Sequence, residues 1–166
     1  MVDRRFDQGG TLLALDQVLR LREMVDPDGE SKYLVSWKGP TEVTPEGYKS
    51  RTELEYQLRA LRAPPVQLFE KLGYQEVQRI ERYVEYYQLG EADIRLEWYP
   101  RMDVLAELEG EPEAIESALR IIGLPRQDWL PDPLPLFAAR YEARTGLPAA
   151  LSREELDGGA PTWELR

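Results

Sequence analysis

The sequence predicts an α+β protein, a mostly antiparallel set of strands with two or three covering helices. Three observations carry that expectation. Charged and apolar residues alternate with a period of two in several segments, most plainly in Leu19-Arg20-Leu21-Arg22-Glu23, as strand geometry requires. Glycine, proline and aspartate turn signals separate those segments at short intervals. Apart from a single turn over Thr11 to Ala14, helical spacing or helix stop signals follow Pro64-Pro65 and Pro112 and surround Leu136.

Taken in order, Arg4-Arg5-Phe6-Asp7 reads as a short strand, Gln8-Gly9-Gly10 as a turn and Thr11 to Ala14 as one helical turn. Val18 to Met24 is the first long strand. Asp26-Pro27-Asp28-Gly29 turns it into a second arm, Lys32 to Lys38, with Tyr33, Val35 and Trp37 on one face and Ser36 and Lys38 on the other. Gly39-Pro40 ends that arm, and residues 41–50 read as a loop. Arg51 to Tyr56 is the next strand, with Arg51, Glu53 and Glu55 on one side. A helix starts near Pro64-Pro65, carries Val66, Leu68, Phe69 and Leu72, and stops at Gly73. Gln75 to Gln88 reads as one long or bent strand. Ala92 to Tyr99 is its partner, with Ile94, Leu96 and Trp98 opposite Arg95 and Glu97. Val104 to Gly110 carries Glu107 and Glu109 on one face. A helix over Pro112 to Ile122 has Glu111 and Glu113 near its positive end. Leu136 to Arg144 is the last helix. Trp37, Trp98, Tyr83, Tyr86 and Tyr87 are read as packing residues.

Length and composition bound the function. The chain has 166 residues, suited to one domain, drawn here as 1–145 with a weakly structured tail over 146–166. It has no cysteine and no histidine, which excludes disulfides, thiol chemistry and the commonest general base. Any metal must take oxygen ligands, which favours Mg2+ or Mn2+ over zinc. A net charge of −10 argues against non-specific nucleic-acid binding. No apolar run reaches a membrane span of ~20 residues, and the N-terminus has no apolar leader, so a cytoplasmic protein without membrane contact is expected.

The charged faces admit two readings. A one-sided antiparallel sheet would show them to water, where each ion pair contributes roughly 0–1 kcal/mol. Alternatively the sheet curls, and acidic and basic side chains line a shared interior. There, carboxylates could hold a divalent cation and arginine forks a polyphosphate.

Several strings, in order, resemble the CYTH family, which groups class IV adenylyl cyclases with thiamine triphosphatases and inorganic triphosphatases. They are Val18-Leu19-Arg20-Leu21-Arg22, Ser36-Trp37-Lys38-Gly39-Pro40, Arg51-Thr52-Glu53-Leu54-Glu55, Leu72-Gly73-Tyr74, the basic strand around Arg79 and Arg82, Leu96-Glu97 and Ala106-Glu107-Leu108-Glu109-Gly110. The resemblance spans roughly residues 3–124. It implies a triphosphate tunnel, an antiparallel barrel with a charged interior. It also implies phosphate ligands at Arg20, Arg22, Lys38, Arg51 and Arg79 or Arg82, and metal-facing carboxylates at Glu53, Glu55, Glu107 and Glu109. Glu97 stands where the family usually has aspartate, one methylene shorter.

The family opens with a Glu-x-Glu-x-Lys strand, and no such motif precedes Arg4. Three expectations compete: a fragment or a late-assigned start, a natural short form that binds without catalysis, or a second copy that fills the gap. An open strand edge invites such pairing, so a homodimer is one expected outcome. The leading functional expectation is binding of a triphosphate-containing small molecule and metal-dependent action on it, of triphosphatase or adenylyl cyclase type. The alternatives are a non-catalytic polyphosphate- or nucleotide-binding module, and a dimerisation domain whose charged face is merely solvated.

Overall fold

The computed structural model describes residues 1–59 and 65–165. They fall into two compact units, Met1–Glu81 and Arg82–Arg166. Pro64, expected at a helix start, lies outside the described residues.

The first unit is a five-stranded antiparallel sheet. Its strands are β1 (Val2–Asp7), β2 (Val18–Val25), β3 (Ser31–Lys38), β6 (Glu53–Leu58) and β7 (Gln75–Glu81), in spatial order β6-β3-β2-β1-β7. The stretch read as a loop over 41–50 contains a small hairpin of its own, β4 (Glu42–Val43) with β5 (Lys49–Ser50). The Asp26 turn forms as expected: the Asp26 carboxylate accepts from the amides of Asp28 and Glu30, and the Gly29 amide donates to the Asp26 carbonyl. After β1 the chain makes one helical turn, α1 (Thr11–Ala14). The Asp7 carboxylate accepts from the amides of Gln8, Leu12 and Leu13 and so satisfies donors at that turn.

Period-two geometry sorts this sheet into two faces. Phe6 of β1 lies opposite Leu19 of β2, and Leu21 lies opposite Val35 of β3. That face packs under α2 (Val66–Lys71), whose Phe69 ring sits 4.8 Å from the Phe6 ring. Phe6, Leu21 and Phe69 form the buried core, flanked by Leu19, Tyr33, Val35, Leu58, Val66 and Tyr74. Gly73 ends α2 in a left-handed conformation at φ +89°, which turns the chain into β7.

The second unit is a three-stranded antiparallel sheet in the order β10-β9-β8, formed by β8 (Tyr83–Leu89), β9 (Ala92–Trp98) and β10 (Leu105–Glu109). Two longer helices follow, α3 (Pro112–Ile122) and α4 (Leu134–Thr145). Proline in the first turn starts α3, and Gly123 in a left-handed conformation stops it. Beyond residue 146 the chain is tied down. Arg101 and Ala150 exchange two backbone hydrogen bonds, and Thr162 donates through its amide to Pro100 O and through its hydroxyl to Tyr99 O.

Two expectations change. The single strand over Gln75 to Gln88 is two strands, β7 and β8, parted at Arg82 and belonging to different sheets. Among the described residues the strands pair in three antiparallel sheets, within the α+β class expected. Trp98 is buried as expected, but Tyr83, Tyr86 and Tyr87 are about half exposed, so those tyrosines are not core. No helix among the described residues is long and apolar enough to cross a membrane.

Leu21 and Leu54 give a contrasting pair, since Leu21 is buried in the core and Leu54 on the edge strand β6 is about half exposed. In urea unfolding, Leu21→Ala is expected to cost about 2–5 kcal/mol, and Leu54→Ala about 1 kcal/mol or less.

Candidate functional site

The opposite face of the first sheet carries the charges. Strand register places Arg22 between Asp3 and Leu34, and Arg20 between Arg5 and Ser36. Further along, Glu55 lies opposite Ser36, and Glu53 opposite Lys38. Directly paired residues share a face, so Asp3, Arg5, Arg20, Arg22, Ser36, Lys38, Glu53 and Glu55 belong to one surface.

A sheet face merely shown to water would leave such arginines well exposed. Instead Arg20 is 7% exposed and Arg22 is 6%. Buried guanidinium groups need partners, and the main partner is Asp3, only 2% exposed. Arg22 donates to it through two nitrogens, at 2.7 Å to Oδ1 and 2.9 Å to Oδ2. Arg20 reaches the same carboxylate at 3.5 Å, donates from Nε to Ser36 Oγ at 2.9 Å and pairs with Glu55 at 3.2 Å. The two arginines are thereby tied to the same carboxylate.

At the end of this face, Lys38 Nζ lies 2.6 Å from Glu53 Oε1, and Arg51 Nε lies 3.4 Å from the same oxygen. Burial pushes the Lys38 ammonium below the ordinary lysine range; the bond to Glu53 opposes that shift, while Arg20 and Arg51 add to it. Glu53 is half-withdrawn from water, which alone would raise its pKa, yet Lys38 and Arg51 hold it below the usual carboxylate range.

The second unit has a charged face of the same construction. Arg95 lies opposite Glu107 on β10 and Tyr86 on β8. It is 2.8 Å from Glu107 and also bonds Glu109. Glu97 is 3% exposed. Its Oε2 accepts from Arg82 Nη1 at 2.7 Å and from the Tyr99 hydroxyl at 2.5 Å. Burial, with the adjacent Glu97 charge, pushes the Tyr99 hydroxyl far above the ordinary tyrosine range.

The structure therefore groups Arg20, Arg22, Lys38, Arg51, Glu53 and Glu55 in the first unit, and Arg82, Glu97, Glu107 and Glu109 on the second. Arg79 is not in the first group. It pairs with Arg4, whose other cross-strand partner is Leu21, so it lies on the apolar face, where it bonds Glu76 at 2.9 Å. Among the described residues no cluster of three or more acidic side chains is close enough to hold a metal ion by itself. Each glutamate of the candidate metal set meets a resident cation instead. Two residues that the sequence reading did not single out matter here: Asp3 and Tyr99. The signal for Asp3 was available, since it stands two positions before Arg5 in a strand that must put it on the face opposite Phe6.

No family model matches the sequence, and no curated protein matches it. Solved structures do. The PH1819 protein of Pyrococcus horikoshii OT3 is similar at a TM-score of 0.60 and 21% identity, over 74% of this chain and 72% of that one. A conserved hypothetical protein from Pyrococcus furiosus is similar at a TM-score of 0.61 and 17% identity, over 82% of this chain and 80% of that one. The PH1012 protein of Pyrococcus horikoshii OT3 is similar at 0.60 and 17%, again over 82% and 80%. At these identities the likeness shows a shared fold alone.

Removing Asp3 would strand a buried guanidinium. Asp3→Ala is expected to lower stability by about 3–5 kcal/mol in denaturant unfolding, and Asp3→Asn, which keeps one acceptor, by less. Tyr99 binds its proton more tightly folded than unfolded. Its contribution is therefore complete below the unfolded tyrosine value of about 10 and is lost as pH rises above it. Thermal melts of the wild type are expected to fall more steeply above that pH than melts of Tyr99→Phe.

Proposed function

We propose that this protein binds a triphosphate-containing compound on the charged face of its first sheet and acts on it with a divalent metal, in the manner of the CYTH family it resembles. The observation that supports this best is the preset pair of Arg20 and Arg22, each 7% exposed or less, backed by Lys38 and Arg51. Guanidinium forks match phosphate oxygens, and side chains already held by partners need little ordering on binding. A lysine with a burial-lowered pKa beside two arginines marks a place where positive charge is held out of water, which an anion relieves.

The carboxylates suit a metal that arrives with its phosphate. Mg2+ commonly takes one or two carboxylates, with substrate phosphates and water completing its shell, and Glu53 and Glu55 share the strand face of Arg20 and Lys38. Bound there, the cation would supply charge neutralisation on phosphoryl oxygens. Arg20, Arg22, Lys38 and Arg51 would bind and orient the phosphate chain and stabilise charge developing on it. With no histidine in the chain, a carboxylate is the side chain suited to take a proton at neutral pH.

A binding-only reading has its own support. Glu53, Glu55, Glu107 and Glu109 are already matched to Lys38, Arg20 and Arg95, so these carboxylates are neutralised without metal.

Isothermal titration with tripolyphosphate tests the binding. Saturable binding that strengthens with Mg2+ or Mn2+ is expected, and Lys38→Met with Arg51→Gln should weaken it at least tenfold while the fold persists. No binding by the wild type would remove the proposal. Metal-dependent release of phosphate or pyrophosphate from a triphosphate substrate separates the enzyme from the binding module.

A further inference from the structure

We propose that the edge strand β6 is a dimerisation seam. Two copies of this chain pair β6 with β6, antiparallel, about a two-fold axis through Tyr56. Their two five-stranded sheets then join into one of ten strands.

β6 stands at one end of the order β6-β3-β2-β1-β7, and among the described residues it pairs with β3 alone. At the other end, β7 runs on through Arg82 into the second unit. A strand paired on one side presents a row of amides and carbonyls on the other. Leu54, Tyr56 and Leu58 lie opposite Trp37, Val35 and Tyr33, on the apolar face of the sheet. Leu58 packs against the core, but Leu54 is 48% exposed and Tyr56 is 64% exposed. Edge strands are commonly guarded by proline, lysine or a bulge. β6 has neither residue, and its pairing with β3 runs without a register shift. Its two glutamates, which would otherwise guard the edge, are already matched to Lys38 and Arg20.

The occupant and the register follow from the residues. The strand and its exposed next residue read Glu53-Leu54-Glu55-Tyr56-Gln57-Leu58-Arg59, which is self-complementary when reversed. With Tyr56 on the axis, the two tyrosines face each other. Leu54 then meets the partner's Leu58, Glu55 the partner's Gln57, and Glu53 the partner's Arg59. Aromatic and opposite-charge pairs directly across a ladder are favourable. Other registers lose this match. An axis on Glu55 sets that carboxylate against its own copy, and an axis on Leu54 sets Glu53 against the partner's Glu55; like charges directly opposite are destabilising. An axis on Gln57 carries Glu53 and Leu54 past Arg59. An axis between two residues sets apolar side chains against charged ones, because facing alternates with a period of two. The two-fold of an antiparallel pair stands perpendicular to the sheet, so the charged faces of both copies lie on one side. The partner's Arg59 then reaches Glu53, which already meets Lys38 and Arg51. Each copy thereby adds a cation to the edge of the other's charged face.

Sedimentation velocity of the full chain across the micromolar range tests the association, and cross-linking tests the register. A concentration-dependent dimer is expected. Tyr56→Lys sets two ammonium groups on the axis, and Arg59→Glu sets two carboxylates against each other at each end of the seam. Each should weaken the dimer about tenfold, and both positions are exposed enough for the fold to persist, which circular dichroism checks. The chain has no cysteine, so an introduced thiol reports one pair. Tyr56→Cys should give a disulfide-linked dimer under mild oxidation, since directly opposed Cα atoms lie about 4.5–5.5 Å apart, within disulfide reach. Gln57→Cys should not, because its own copy lies diagonally across the ladder, beyond the limit of about 7 Å. A monomer at every concentration overturns the inference. So does a dimer that Tyr56→Lys leaves intact, which would use another surface, or cross-linking of Gln57→Cys in preference to Tyr56→Cys. These readouts hold whether or not the chain binds a triphosphate.

Discussion

A guanidinium group withdrawn from water must meet a carboxylate, and in the first unit that carboxylate is Asp3. The rest of the charged face follows from this pairing. Asp3 sits on β1, an interior strand of the sheet, with β2 on one side and the edge strand β7 on the other. Its two oxygens engage Arg22 from below hydrogen-bond limits of 3 Å and reach Arg20 more loosely. Because the pair is buried, it adds little net stability over an apolar substitute, but removing one member is expensive. Such a pair is better understood as a device that sets orientation. It ties both guanidinium groups to one carboxylate.

The same logic is used a second time with different residues. In the second unit, Glu97 is the buried carboxylate and Arg82 the guanidinium, and Tyr99 takes the place that Ser36 holds beside Arg20 as a neutral hydroxyl in the network. The difference is one of balance. In the first unit the carboxylate is shared by two cations, so the surplus is positive and suits an anion. In the second, one oxygen of Glu97 carries both of its hydrogen bonds and the other carries none among the described residues.

Much of this was legible in the sequence where alternation is clean. In Leu19 to Arg22 apolar and basic residues strictly alternate, so a strand there has one possible sorting, and the structure has it. Ser36 and Lys38 opposite Tyr33, Val35 and Trp37 are equally unambiguous. Legibility fails where both faces carry polar groups. Gln75 to Glu81 has no consistent apolar side, so its facing depends on pairing with β1, and a register shift between Arg5 and Phe6 alters that pairing midway. Arg79 consequently lands opposite Arg4, away from Arg20. The break at Arg82 was hidden for a related reason. Val, Ile and Tyr continue through it, and β-propensity does not register a change of sheet. Tyr99 went unread because an aromatic at the end of an apolar strand is usually packing, and its ring is indeed packed; only its hydroxyl has a second role.

The central claim is that Arg20 and Arg22 are held ready, out of water, for a phosphate chain. Arginine Nε–H resonances, observed by nitrogen-15 NMR at neutral pH during addition of tripolyphosphate, test it most directly. The account predicts slowly exchanging Nε–H signals for Arg20, bonded to Ser36, and Arg22, bonded to Asp3, and a saturable shift of both as the ligand is added. Rapidly exchanging signals that stay in place at every ligand concentration would contradict it.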